Sequence, residues 1–227
     1  MRRNGRLFMT ILALEFSSPQ RSVAALRDDG AAVSAEVIEA GGRGVNAFGM
    51  IDQALAGTKI ERERIDVIAV GLGPGSYTGI RAAISISQGW QLARGVKLLG
   101  VSSAEAIVAQ AQKEKILGHV NVVIDAQRDE FYLATYEITP DGRQETGPLK
   151  IVSHAEVQSR ASADGILIGP EVTKWFPNGR IIFPRAAILA ELAACRNNFT
   201  PGEKLEPIYL RETNFVKAAP SRGLYLK

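Results

Sequence analysis

The chain has 227 residues, 46% of them hydrophobic and 22% charged, with 27 basic against 24 acidic side chains and a formal net charge of +3. A chain this long buries roughly 70% of its extended surface and needs neither disulfides nor a structural metal, and so small and scattered a charge excess leaves no footprint for direct binding of nucleic acid or a membrane. The single cysteine, Cys195, excludes an internal disulfide and favours a cytoplasmic setting, while two distant histidines, His119 and His154, argue against a multi-histidine metal site.

The first apolar run, 7–14, follows Arg2, Arg3 and Arg6. Glu15 closes it, no small-residue cleavage site follows, and it is far too short to cross a bilayer. It reads as a central strand, apolar without strict alternation and so buried on both faces. Stretches 22–26 and 31–38 flank Asp29-Gly30 and predict a hairpin. A helix is predicted over 45–56, with Phe48, Ile51 and Leu55 at core-facing spacing. A strand over 65–70 then runs into GLGPGSYTG, followed by a helix over 80–94 and a short strand over 96–99. Ser102 and Glu105 form a capping box for a helix through Ala111.

The pattern then restarts. A strand is predicted over 120–124, and 130–136 pairs with a later strand across Pro140-Asp141-Gly142. Ser153 and Glu156 make a second capping box, 165–168 is a strand, and 186–195 is an Ala/Leu-rich helix in which Cys195 reads as a small core residue. This recurrence predicts two related α/β lobes, 1–112 and 113–227, divided at the polar stretch 112–118. Lys217, Arg222 and Lys227 belong to a solvated terminus.

Gly71, Gly73, Gly75 and Gly79 lie between a strand and a helix, where glycines allow tight turns and close backbone approach. The segment lacks the lysine of a Walker A loop. It also lacks the spacing and following acid of a dinucleotide fingerprint, and Pro74 removes a donor. Three duties stay open for it: a structural junction, an anion or nucleotide contact, and a partner surface. In the helix that follows, Ala82, Ala83, Ile86, Gly89, Trp90 and Ala93 form the stripe expected against the sheet. Ile80, Ile84, Ser87 and Gln91 form a thinner second strip, suited to a neighbouring helix inside the chain or in another protein.

No serine, histidine and acid suggest a triad, and GPGSYTG is not the GxSxG elbow. Glu15 and Asp125 end the first strand of each predicted lobe, the place where two-lobed kinases and ATPases hold magnesium or orient water. Asp125 is equally suited to accept backbone N–H groups in the turn before Arg128. After Glu15 comes Phe16-Ser17-Ser18-Pro19 rather than a Gly-Thr or Gly-Ser phosphate turn, and Pro19 removes a further donor. A triphosphate site needs several donors and a held cation, so these strand ends argue against catalysis.

The segments LALEFSS, IDVIAVGLGPGSYTGIR, LLGVSSAEAIV, VVIDAQRDEFYLATY and EPIYLR, in that order, resemble the TsaB (YeaZ) family of tRNA threonylcarbamoyladenosine biosynthesis. The resemblance implies an actin-like ATPase, sugar-kinase-like fold of two ribonuclease H-like α/β lobes. It implies a non-catalytic subunit, without cofactor or metal, that pairs with a TsaD-like catalytic subunit, forms homodimers, is joined by a TsaE-like P-loop ATPase, and meets tRNA only through that complex. By the same resemblance the helices at 45–56 and 80–94 carry the interface, with Phe48, Ile51, Ile80, Ile84, Ser87 and Gln91 as its contacts. Gly71, Gly73, Pro74, Gly75, Ser76, Tyr77, Thr78 and Gly79 shape the adjoining loop, Arg81 bonds an acidic group, and Glu15 and Asp125 are vestigial cleft acids. The chain departs from the family at Glu15 and Phe16, where Asp and Thr are usual, and at Arg43, Gly44 and Val45, where His-Ser-Glu is usual. The alternatives are an active small-molecule kinase or ATPase using Glu15 and Asp125 and, last, a peptidase for which no nucleophile presents itself.

Overall fold

The computed structural model describes residues 2–3, 6–7, 9–27, 33–40, 46–162 and 165–211. The Asp29-Gly30 turn, the Arg43–Val45 departure, the side chains of Arg2, Arg3 and Arg6, and the terminal Lys217, Arg222 and Lys227 lie outside the described residues.

The first sheet contains β1 (Thr10–Glu15), β2 (Gln20–Arg27), β3 (Val33–Ala40), β4 (Val67–Gly71) and β5 (Lys97–Val101), with α1 (Ala47–Thr58) and α2 (Tyr77–Arg94) inserted between strands. After α3 (Ser103–Lys113) the second sheet contains β6 (Gly118–Asp125), β7 (Glu130–Ile138), β8 (Arg143–Ser153), β9 (Ile166–Gly169) and β10 (Arg180–Ile181), with α4 (His154–Ser162) after β8. The last helix is α5 (Ala186–Ala194).

Strand order is β3-β2-β1-β4-β5 in the first sheet and β8-β7-β6-β9-β10 in the second. In both, three successive strands pair antiparallel, the fourth lies parallel to the first on its free side, and the fifth lies parallel to the fourth. One ribonuclease H-like unit therefore occurs twice, which is the actin-like ATPase architecture.

Residue alternation along β1 explains its double burial. Leu12 and Leu14 pack with Val23, Ile68 and Val70 against Met50 and Ile51 of α1 and Ile80 and Ile84 of α2. Ile11 and Ala13 face the other way, with Ala24 and Ala69, onto Ala106 and Ala109 of α3 and Leu189 and Ala193 of α5. The opposite side of α3, with Ala104, Ile107 and Val108, joins Val120, Val122 and Ala134 of the second sheet. α3 is thus buried between the two sheets.

The polar stretch 112–118 is where the chain passes from α3 into β6, but the second half does not keep to a lobe of its own. α5 returns to the first sheet: the Ala186 N–H donates to Ser22 Oγ at 2.8 Å, the Ala187 N–H donates to Glu36 Oε1 at 3.1 Å, and Arg185 pairs with Glu36. Its small side chains match the alanines on that face of β1 and β2. The Ser102–Glu105 capping box does not form, because the Ser102 side chain makes no cap bond and Glu105 pairs with Arg196. Half of the second box does form, the Glu156 N–H donating to Ser153 Oγ at 3.3 Å while the Glu156 carboxylate goes to Lys150. Cys195 is exposed just past α5, not in the core. No helix among the described residues is long and apolar enough to cross a membrane.

Candidate functional site: an interlobe cleft and an outward helical face

The carboxyl ends of β1, β4 and β6 meet at a cleft of about 440 Å³ between the lobes. Ser17, Ser18, Arg21, Gly75, Ser76 and Tyr77 line one wall, and Asp125, Gln127, Tyr132 and Glu171 line the other.

Glu15, expected at the cleft, is fully buried beneath it. Its Oε1 accepts the Ser17 N–H at 2.7 Å and its Oε2 accepts the Ser103 hydroxyl at 2.9 Å. Ser103 Oγ in turn accepts the Gly73 N–H at 3.1 Å. Gly71 makes room for this carboxylate, since a Cβ there would lie 2.1 Å from Glu15 Oε2. Burial pushes the Glu15 carboxyl pKa up, and the bonds from Ser17 and Ser103 oppose that rise. Phe16, the other departure from the family at this strand end, sends its ring into the core.

The glycine-rich loop is fastened to the same turn. The Ser76 N–H donates to the Ser17 carbonyl at 2.7 Å, and Cβ atoms at Gly75 and Gly79 would lie 2.1 and 2.0 Å from the Ser17 and Phe16 carbonyl oxygens. Gly73 and Gly75 have φ of +87° and +146°, beyond the usual range of other residues. Ser76 caps α2 by accepting the Gly79 N–H at 3.3 Å. Pro74 is buried in this loop and Thr78 is exposed in the first turn of α2. The Ser17 and Ser76 N–H groups that a phosphate would need are thus spent inside the protein, and both carboxylate oxygens of Glu15 are engaged out of solvent. Asp125 does reach the cleft, where its carboxylate accepts the Gln127 N–H at 2.7 Å and the Gln127 side-chain amide at 2.8 Å. Among the described residues no three His, Cys, Asp or Glu side chains gather to hold a metal ion, and the donors around Glu15 do not fit a magnesium-bound triphosphate.

At the cleft's rim, Tyr77 stacks on Tyr209 with ring centroids 5.5 Å apart, and the Arg81 guanidinium lies 4.0 Å from the Tyr77 centroid. Arg81 therefore rests on an aromatic ring rather than on the acid expected from the sequence. Arg211 crosses to the second lobe and pairs with Glu130 at 2.5 Å. Ser103, Tyr209 and Arg211 carry no catalytic signature in sequence. EPIYLR is the one signal that marks the last two.

The expectation for the two strips of α2 holds only in part: Ala83 of the first is buried and Ile86 and Trp90 lean on the first core, but the second strip lies deepest. Ile80, Ile84 and Ser87 are buried inside the chain, Ser87 Oγ donating to the Ala83 carbonyl at 2.8 Å. Gln91 is occupied by Val96 and Gly202. Ile51 is likewise core. These five do not present an outer surface: Ile51, Ile80 and Ile84 lie in the first core, Ser87 is buried and Gln91 is bonded within the chain. Facing outward are Gly89 and Ala93, with Ile86 and Trp90 half-buried and Leu92 91% exposed. Phe48 of α1, 62% exposed, completes an apolar hollow with Ile86, Gly89, Trp90 and Ala93, rimmed by Arg62, Glu63 and Arg94.

The family model described as TsaD: tRNA N6-adenosine threonylcarbamoyltransferase matches residues 44–208. The tRNA threonylcarbamoyladenosine biosynthesis protein TsaB of Escherichia coli K12 is 26% identical over 192 residues, covering 76% of this chain and 82% of the relative. An uncharacterized protein of Mycobacterium tuberculosis H37Rv is 29% identical over 204 residues, with 89% and 92% covered. The solved structure of YeaZ from Pseudomonas aeruginosa superposes with a TM-score of 0.75 at 27% identity, covering 89% of this chain and all of that one. The glycine-rich junction, the duplicated sheet and these likenesses agree: the chain belongs to the TsaD family and, within it, to the TsaB (YeaZ) family.

Proposed function

We propose that the protein acts in the biosynthesis of tRNA threonylcarbamoyladenosine as a non-catalytic subunit. It pairs with a TsaD-like catalytic subunit, self-associates in its absence, is joined by a TsaE-like P-loop ATPase, and meets tRNA only through the assembled complex in the cytoplasm. The observation that carries the non-catalytic reading is the state of Glu15, buried with both oxygens bonded internally beneath a loop whose Ser76 N–H is already used. An acid in that position neither holds a cation nor orients water, and loss of even one well-placed donor costs about 100-fold in rate.

The outward face of α1 and α2 supports the pairing. Gly89 sits mid-helix, exposed, with nothing within 4 Å of where its Cβ would be. Such a glycine costs the isolated chain about 1 kcal/mol relative to alanine and gains nothing in return within it. Close approach of a second protein gives it a use, and Phe48, Ile86 and Trp90 supply the apolar contact.

The test is reconstitution of threonylcarbamoyl transfer to tRNA from the adenylate, with and without this chain, alongside Gly89→Glu and Asp125→Asn. Activity is expected to require the chain, to survive Asp125→Asn, and to fall at least 10-fold with Gly89→Glu, which places a charge in the apolar contact while leaving the monomer folded. Magnesium-dependent ATP turnover by the purified chain, abolished by Asp125→Asn, would instead establish the kinase or ATPase reading.

A further inference from the structure

The segment after α5 joins the two lobes at the mouth of the cleft. Its first part is fixed to the first lobe. The Gly202 N–H donates to Gln91 of α2 at 2.8 Å, Leu205 is buried in the first core, and the Ile208 N–H donates to the Leu72 carbonyl at 2.9 Å, just beyond β4. Tyr209 then stacks on Tyr77. Two residues later Arg211 reaches the turn that follows β6, its Nη2 lying 3.0 Å from the Ala126 carbonyl, 3.3 Å from the Gln127 carbonyl and 2.5 Å from Glu130 Oε2.

That turn is strained. Gln127, Arg128 and Asp129 have φ of 64°, 60° and 60°, three consecutive non-glycine residues in the left-handed region. Such a run persists only where surrounding bonds over-determine it. Asp125 holds its amide side, and Arg211 holds two of its carbonyls.

We propose that Leu205–Arg211 is an interlobe strap that sets the opening of the cleft, with Arg211 as the pin and the 126–130 turn as its socket. It joins the carboxyl ends of β4 and β6, whereas α3 links the sheets through their buried faces. Releasing Arg211 frees the second lobe to swing and the turn to relax, without disturbing either sheet. This goes beyond the subunit role and belongs to the isolated chain.

The experiment uses the purified full chain. Hydrogen exchange at Ala126, Gln127 and Glu130 is expected to accelerate at least 10-fold in Arg211→Ala, with β1 and β4 unchanged. Arg211→Lys, which keeps the charge but loses the fork, should fall between it and the wild type. Spin labels at Pro19→Cys and Glu171→Cys in a Cys195→Ser background should show a broadened, lengthened distance across the cleft in Arg211→Ala. Tyr209→Ala, which leaves the pin in place, should produce the same broadening to a smaller degree. Unchanged exchange in the turn with an unchanged label distance overturns the proposal, and so does equal loosening of both sheets, since a strap acts on the cleft alone.

Discussion

Glu15 and Asp125 occupy the same place in two copies of one topology, each the last residue of the first strand of its sheet. Each accepts the N–H of the residue two positions on, at 2.7 Å in both cases. There the likeness ends. Glu15 turns inward under Gly71 and takes the Ser103 hydroxyl, out of reach of solvent, whereas Asp125 stays at the cleft wall and spends its second oxygen on Gln127. A strand-end acid in a duplicated fold is therefore a position, not a function. One glycine on the neighbouring strand and one serine at a helix start decide whether it faces a ligand or braces a loop.

Four changes would break or sharpen this contrast. The largest effect is expected from Gly71→Ala, whose Cβ would meet the immobilised Glu15 carboxylate at 2.1 Å. Overpacking there should cost about 3 kcal/mol, read as a lower urea midpoint with an unchanged slope. Ser103→Ala removes a donor to Glu15 and the acceptor of the Gly73 N–H, and should cost about 2 kcal/mol in the same measurement.

Next comes pH. Because burial raises the folded-state pKa of Glu15 above its ordinary value of 4.5, the folded chain holds this proton more firmly than the unfolded chain. The group's contribution is therefore most favourable below pH 4.5 and declines as pH rises through the folded pKa. Glu15→Gln cannot ionise, so its urea midpoint should improve relative to wild type from pH 4.5 to pH 8; a gap independent of pH would refute the assignment. The smallest effect belongs to Asp125→Ala, about 1 kcal/mol for the bond it gives the turn after β6, with activity of the reconstituted complex retained. A loss at Asp125 comparable to that at Ser103 would erase the distinction between the two acids.

Much of this was legible in the residues. The unalternating run at 7–14 marks a strand buried on both faces, and β1 is one, although it begins only at Thr10. Asp29-Gly30 lies between two strands that do pair antiparallel. The recurrence after 118 foretells the second sheet, and the turn after Asp125 is bonded as its sequence suggests. The strips of α2 were not legible in the same way. Periodicity separates Ile80, Ile84 and Ser87 from Ala82, Gly89 and Ala93, but both strips are apolar or small, and no spacing rule states which one the sheet receives. The return of α5 to the first sheet and the reach of Arg211 to the 126–130 turn are contacts between residues more than 80 positions apart, for which a single chain carries no local signal.

By itself, then, the sequence determined most of the elements, their order, the duplicated plan and the family. These follow from hydrophobic period, turn chemistry and motif order, which act over neighbouring residues. Only the tertiary structure decided that Glu15 is a brace, that Gly89 and Ala93 rather than Ile80 and Ile84 face outward, and that the 205–211 segment spans the cleft. Each of these is a competition for the same buried space, and close packing settles it by volume and hydrogen-bond satisfaction across the whole chain.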